Sequence, residues 1–411
     1  MMHEFGVMRS PCAIIFGCGQ RYSLGRITRA FGQRVLICTD NRLATDPLFS
    51  SLLESLHAAG VDSRVYSDTL AELPLDGVYK CGDFARSFRP DVIVGIGGGS
   101  CMDMAKMVSL LLTHNSPLDR YYGEMRVPGP VLPVIAIPTT SGTGSEVTPV
   151  AVLADSQRDL KVGVSSPYLI PHTAICDPEL TVSCPPQLTA FSGADALTHA
   201  IEAFTAIRRE PVPGLAEELV FVGKNVISDL HALSAIRAIA THLPQAFADG
   251  SDRDARAGMM LGALHAGLAF GTAGTAAAHA IQYPIGALTH TAHAIGVALL
   301  MPYVMAYNRP ACTAEFAQIA LAMGATDSGE ENLADRAIVK VADLLESIGI
   351  PRTLAELQLD ENSLGWVARQ SMLSARLVNN NPRPLDEEAA GAILAAALAG
   401  DRPWSNASNK S

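Results

Sequence analysis

The chain has 411 residues, of which 48% are apolar and 17% charged, and its net charge is −11. That length exceeds what one hydrophobic core usually supports, and the composition excludes a disordered chain. The acidic balance, with both signs interspersed, excludes nucleic acid and anionic membrane as expected partners, because each needs a basic face.

The start, MMHEFGVMRSP, has no apolar signal core, and no run of about 18 apolar residues follows it. The eight cysteines are scattered without a CxxC pair, so free thiols in a reducing compartment are expected, and a cytoplasmic location with them. Short β-branched runs then alternate with helical stretches through the first half. Ala13-Ile14-Ile15-Phe16 precedes Gly17 and Gly19, and Val35-Leu36-Ile37-Cys38 ends at Thr39-Asp40. Between Pro47 and Gly60 apolar residues recur at helical spacing, as in a crossover helix. Asp91 to Ile96 and Val131 to Ile137 are further strands. Continuously apolar strands separated by helices predict a parallel sheet covered on both faces.

Two loops leave those strands. The first, Gly97-Gly98-Gly99-Ser100, lies directly between a strand and a helix starting near Cys101. Glycines let backbone approach a diphosphate, and a helix N-terminus directs free N–H groups at it; the alternative is a plain tight turn. The pattern is not the GxGxxG fingerprint. The second, Ile137-Pro138-Thr139-Thr140-Ser141-Gly142-Thr143-Gly144-Ser145-Glu146-Val147-Thr148, offers hydroxyls and amides to a phosphate–ribose chain, or else satisfies its own backbone. Asp40, just past a strand, suits ribose hydroxyls and favours NAD over NADP; the alternative is that it caps the next helix.

Near Cys184-Pro185-Pro186 the texture changes to long Ala- and Leu-rich stretches: 190–205, 229–248, 253–270, 313–323, 333–348 and 387–399. The reading is an α/β domain over residues 1–186 and a helical domain over 187–411. In the helical half Asp195 and His199 are four apart, on one face of a helix with small apolar neighbours. His265, His279, His290 and His293 all fall between Leu264 and Gly296. One carboxylate with three imidazoles suits Fe2+ or Zn2+, and three ligands with an open position would serve as well. Spacing alone does not bring these segments together.

The stretches GGGSCMDMAK, IPTTSGTGSEVTP, DALTHAIEAF, the His279 to His293 segment with LLMPYVMAYN after it, and NNNPRPL resemble the iron-containing (group III) alcohol dehydrogenases. The resemblance spans nearly the whole chain. It implies a Rossmann-like, dinucleotide-binding parallel-sheet domain followed by an all-α domain, the fold shared with dehydroquinate synthase, with the active site in the cleft between them. It implies metal ligands at Asp195, His199, His279 and His293, and cofactor contacts at Asp40, Gly97, Gly98, Ser100, Asp103, Thr139, Thr140, Ser145 and Thr148, with Lys161 on the ribose. Many members carry a second histidine four residues after the third ligand, where this chain has Tyr283, a candidate for the proton path. Tyr283-Pro284 is similar to the hydroxyacid–oxoacid transhydrogenase branch, and Ala292-His293-Ala294 replaces the usual Pro-His-Gly. His265 and His290 match no ligand of the family and are expected to be buried or hydrogen-bonded histidines, the alternative for His290 being a role near the substrate or on the proton path.

The implied activity is metal-dependent, NAD(H)-linked hydride transfer between a small alcohol and its aldehyde or ketone, in a homo-oligomer such as a dimer. The rival readings are a hydroxyacid–oxoacid transhydrogenase, a 4-hydroxybutyrate-type dehydrogenase and a maleylacetate reductase-like enzyme. A non-enzymatic binding module of the same fold is the reading of a different class, and failure to bind either metal or NADH would favour it.

Overall fold

The computed structural model describes residues 5–155, 160–326, 329–402 and 404. They divide into an α/β unit, residues 9–184 with 214–220, and a helical unit, residues 5–8, 185–213 and the described residues from 221 on.

Among the described residues, the strands of the α/β unit are β1 (Ala13–Phe16), β2 (Arg34–Cys38), β3 (Asp62–Tyr66), β4 (Val92–Gly97), β5 (Gly123–Glu124), β6 (Val134–Pro138), β7 (Val150–Asp155), β8 (Leu160–Ser165) and β9 (Thr173–Cys176). Its longer helices are α1 (Pro47–Ala58), α2 (Leu75–Arg86) and α3 (Gly99–His114). Six strands form one sheet in the order β1-β9-β6-β4-β2-β3, every pairing parallel. Successive side chains of a strand point to opposite faces, and here both faces are covered. Val35 and Ile37 of β2 join Val92, Val94 and Ile96 of β4 in a core with Phe49, Leu52 and Leu56 of α1. Leu36, Cys38 and Ile93 face the other way, into a core with Met104, Met107, Val108 and Leu111 of α3. That double burial is why the strands read as apolar runs. Beside this sheet lies a smaller one, β5-β8-β7, in which β7 and β8 are antiparallel.

The helical unit contains α4 (Pro186–Thr205), α5 (Val226–Ala248), α6 (Arg253–Ala273), α7 (Ala277–Thr289), α8 (His293–Asn308), α9 (Thr313–Ala322), α10 (Glu330–Ser347) and α11 (Glu387–Ala399). Every residue of α4 from Gly193 to Thr205 is buried, so this helix is wrapped on all sides. Asn225 caps α5 in a capping box with Ser228, and Asp252 caps α6 through the Asp254 and Ala255 amides.

The main division falls between Cys184 and Pro185, and two short segments are exchanged across it in the chain. The start belongs with the helices because Val226 N donates to Phe5 O (3.1 Å) and Val7 N to Asn225 Oδ1 (3.4 Å). Residues 214–220 belong with the α/β unit because Arg9 donates to the carbonyls of Val220 (2.7 Å), Leu219 (3.0 Å) and Ala216. No helix among the described residues is long and apolar enough to cross a membrane.

Candidate active site

Helix α4 carries Asp195 and His199 one turn apart, and α7 carries His279 in its first turn. One ligand atom from each of these three buried residues lies within 4.8 Å of the other two. Asp195 Oδ1 is 3.8 Å from His199 Nε2 and 3.9 Å from His279 Nε2, too far for a hydrogen bond in either case. Asp195 Oδ1 and His279 Nε2 are buried and find no hydrogen-bond partner among the described residues. A buried carboxylate oxygen that faces ring nitrogens of two histidines and has no donor among the described residues needs positive charge from somewhere. A divalent cation fits that gap, since the donors are one carboxylate and imidazoles.

His293, the first residue of α8, stands beside the trio rather than within it: its ring centroid is 5.2 Å from that of His279 and 5.7 Å from that of Tyr283, which stacks on it. His265 is engaged elsewhere, its Nδ1 lying 2.8 Å from Nδ1 of His231, and burial pushes both imidazoles below their ordinary pKa. His290 is exposed and ends α7 at a φ of 54°.

In the α/β unit, β4 runs through Gly97 (φ 145°) into α3, whose N-cap, Gly98, supplies no side-chain cap. A side chain at Gly97 would be strained by that backbone and would meet the Cys101 sulfur at 2.6 Å. No side chain caps the start of α3, which lies at the C-terminal end of a parallel strand, where an anion fits. The hydroxyl loop after β6 runs alongside, with Thr139 N donating to Gly97 O (2.9 Å). Asp40 does cap the short helix after β2, accepting from Leu43 N through Oδ1 at 2.8 Å. Its Oδ2 lies 3.9 Å from the Cys101 sulfur, so the carboxylate borders the glycine turn as well. Burial, together with Asp40, pushes the Cys101 thiol up to about 12.

The other implied cofactor residues divide. Gly98, Ser100 and Thr140 are partly exposed, whereas Thr139, Ser145 and Thr148 are buried. Asp103 is engaged on both oxygens: Oδ1 accepts from Ser145 Oγ (2.5 Å) and Oδ2 from Val152 N (3.0 Å). The Lys161 ammonium pairs with Glu72.

The N-terminal region, residues 11–178, matches the model of iron-containing alcohol dehydrogenases, and residues 189–398 match that of the Fe-containing alcohol dehydrogenase family, C-terminal. The chain is 38% identical over 380 residues to long-chain-alcohol dehydrogenase 1 of Geobacillus thermodenitrificans (strain NG80-2), covering 91% of this chain and 92% of that one. The chain belongs to the iron-containing alcohol dehydrogenase family. Its chemistry is accordingly the interconversion of an alcohol with an aldehyde or ketone. The crystal structure of 1,3-propanediol oxidoreductase superposes with a TM-score of 0.89 at 31% identity, covering 96% of this chain and all 100% of that one. A sulfoacetaldehyde reductase from Bifidobacterium kashiwanohense, solved with NAD+, gives 0.83 at 27% identity, over 97% of this chain and 100% of that one.

Within this family member, the residues that orient the histidines escape a reading of the sequence. Glu202, 1% exposed on α4, accepts from His279 Nδ1 (2.6 Å) and from the amides of Ala276 (2.9 Å) and Ala278 (2.7 Å). Burial pushes this carboxyl up, but its interaction with His279 and the hydrogen bonds from His279 and the two amides outweigh it and hold it below the ordinary carboxylate range. Gln282 Oε1, equally buried, accepts from His293 Nδ1 at 2.6 Å. Phe270 stacks on His199 at 4.1 Å. The available signal was an acid among Ala, Ile and Phe in DALTHAIEAF, since a buried charge must have a partner.

Proposed function

We propose that this chain interconverts a small alcohol and its aldehyde or ketone with NAD(H), using one divalent cation, iron(II) with zinc as the alternative, held by Asp195, His199, His279 and His293. The observation that carries this reading is the pair of partnerless buried atoms, Asp195 Oδ1 and His279 Nε2. A cation held there would supply Lewis acidity toward a substrate oxygen, and a nicotinamide bound at the glycine and hydroxyl loops would supply the hydride chemistry.

The chain's own residues prepare these events. Glu202 holds the Nδ1 proton of His279, leaving Nε2 as the donor toward the cation, and Gln282 does the same for His293. Phe270, 7% exposed, covers one face of His199 and keeps water from it. The uncapped amides of α3 and the hydroxyls of Ser100, Thr139 and Thr140 bind the diphosphate and ribose, with Gly97 and Gly98 admitting the backbone to it. Asp40 accepts ribose hydroxyls and repels a 2′-phosphate, which favours NAD over NADP. Tyr283, stacked on His293, carries the proton that leaves or joins the substrate oxygen.

Residence in the cytoplasm and assembly as a homodimer belong to the same reading. Ile14 and Phe16, exposed on the edge strand β1, support association, and a monomeric mass by light scattering would remove it.

The test is metal analysis of anaerobically purified protein, coupled to a screen of NADH and NADPH oxidation over aldehydes, ketones and oxoacids. One equivalent of iron or zinc with NADH-dependent reduction is expected. Metal-free protein that reduces a carbonyl at full rate would overturn the reading, and a preference for NADPH would overturn the role of Asp40.

A further inference from the structure

Beneath the two cofactor loops lies a group of charges for which the chemistry so far has no use. Lys106 sits one turn after Asp103 on α3 and is fully buried, at 0% exposure. Its ammonium donates to the carbonyls of Thr148 (3.0 Å) and Val150 (2.8 Å) and approaches Thr148 Oγ1 at 3.4 Å. It lies 3.7 Å from Asp103, which in turn accepts from Ser145 and from Val152 N. A buried ammonium is costly unless several acceptors surround it, and a hydrophobic side chain would fill the same space more cheaply. These acceptors belong to the far end of the hydroxyl loop, so the charge ties that end to α3. At the near end, Thr139 N donates to Gly97 O, and α3 approaches so closely that a Cβ on Gly99 would lie 2.8 Å from Thr143.

We propose that Lys106 is a positioning residue for the dinucleotide: without touching it, the buried ammonium locks the hydroxyl loop against the helix whose N-terminus faces the diphosphate. The inference rests on the assignment of NAD(H) to these loops. It also gives Asp103 a different task from the one the family resemblance implies, because both of its oxygens serve the same lock.

The titratable groups facing Lys106 are Asp103, one turn away on α3, and Glu146 in the loop, with Cys176 of β9 beyond Glu146. Burial outweighs both carboxylates and brings the ammonium down to about 8. The wild-type lock therefore loosens as pH rises through that value, whereas an arginine stays charged.

The experiment compares Lys106→Met and Lys106→Arg with wild type by titrating NADH and ADP-ribose, with metal content and urea midpoint measured on the same samples. Lys106→Met is expected to weaken both ligands about tenfold, the loss of roughly one hydrogen bond from a displaced loop. Metal content should be unchanged and Lys106→Arg should keep most of the affinity. Folded Lys106→Met with wild-type NADH and ADP-ribose affinity overturns the proposal. If the methionine variant does not fold, NADH affinity against pH decides. Wild type should weaken above about pH 8 and Lys106→Arg should not, and identical profiles overturn it. Wild type that binds no NADH at any pH would instead sink the cofactor assignment itself.

Discussion

Glu202→Gln isolates the role of one charge beside the proposed metal centre. Glutamine keeps the volume but offers one oxygen where three donors converge: His279 Nδ1 at 2.6 Å, Ala278 N at 2.7 Å and Ala276 N at 2.9 Å. Its NH2 group must then face a donor, either the imidazole or an amide at the start of α7. If it faces His279, the ring loses the acceptor that fixes its tautomer and raises its basicity. Loss of such an outer partner typically lowers metal affinity 10–100-fold, or about 1.4–2.8 kcal/mol. If it faces an amide, a buried unpaired N–H costs about 1–3 kcal/mol of folding free energy instead. The two cases separate experimentally: chelator competition with iron(II) or zinc reads the affinity, and urea unfolding of metal-free protein reads the stability. A variant with both quantities at wild-type values would refute the argument, because it would mean that the charge on Glu202 supports neither His279 nor α7.

Two further outcomes follow from the geometry. Tyr283→Phe should lower turnover about tenfold or more and remove one limb of its pH dependence while metal content stays at the wild-type level; an unchanged profile and rate would make Tyr283 dispensable for proton transfer. Burial raises Glu146 from 4.5 to about 7, so folding takes up a proton between those values, and the stability that this provides is lost as pH rises through the window. Relative to Glu146→Gln, wild type should therefore lose up to about 3 kcal/mol between pH 4.5 and 7, and parallel urea midpoints across that range would contradict it.

How much of this was legible in the sequence depended on how local each feature is. The parallel sheet could be read because each strand lies between two cores, which turns a tertiary fact into a local composition: Val35 to Cys38 are all apolar and all 0% exposed. Asp195 and His199 were placed on one face because a single helix sets their spacing. That His279 of α7 meets them depends on how α4 and α7 pack, which no spacing records, and only the family resemblance anticipated it. The hairpin β7–β8 went unread, although the buried residues of β7 alternate as expected for a strand covered on one face. Lys161, a ribose contact implied by the resemblance alone, pairs with Glu72 in the structure, a partner that no local spacing records.

The buried acids suggest what a motif leaves out. Asp195, Asp103 and Glu202 all lie in stretches that resemble the family, and sequence gives no reason to rank them. Their lone pairs do. Glu202 accepts three hydrogen bonds and Asp103 two, with an ammonium 3.7 Å from the latter, so each is neutralised from within the chain. Of the three, Asp195 alone has a buried oxygen with no donor among the described residues, facing nitrogens at 3.8 and 3.9 Å. An uncompensated buried carboxylate is too costly to keep for packing, whereas a satisfied one orders its surroundings without outside help. The donor count therefore separates the acid proposed to hold a cation from those that hold its neighbours in place, and it becomes available only once the helices have been brought together.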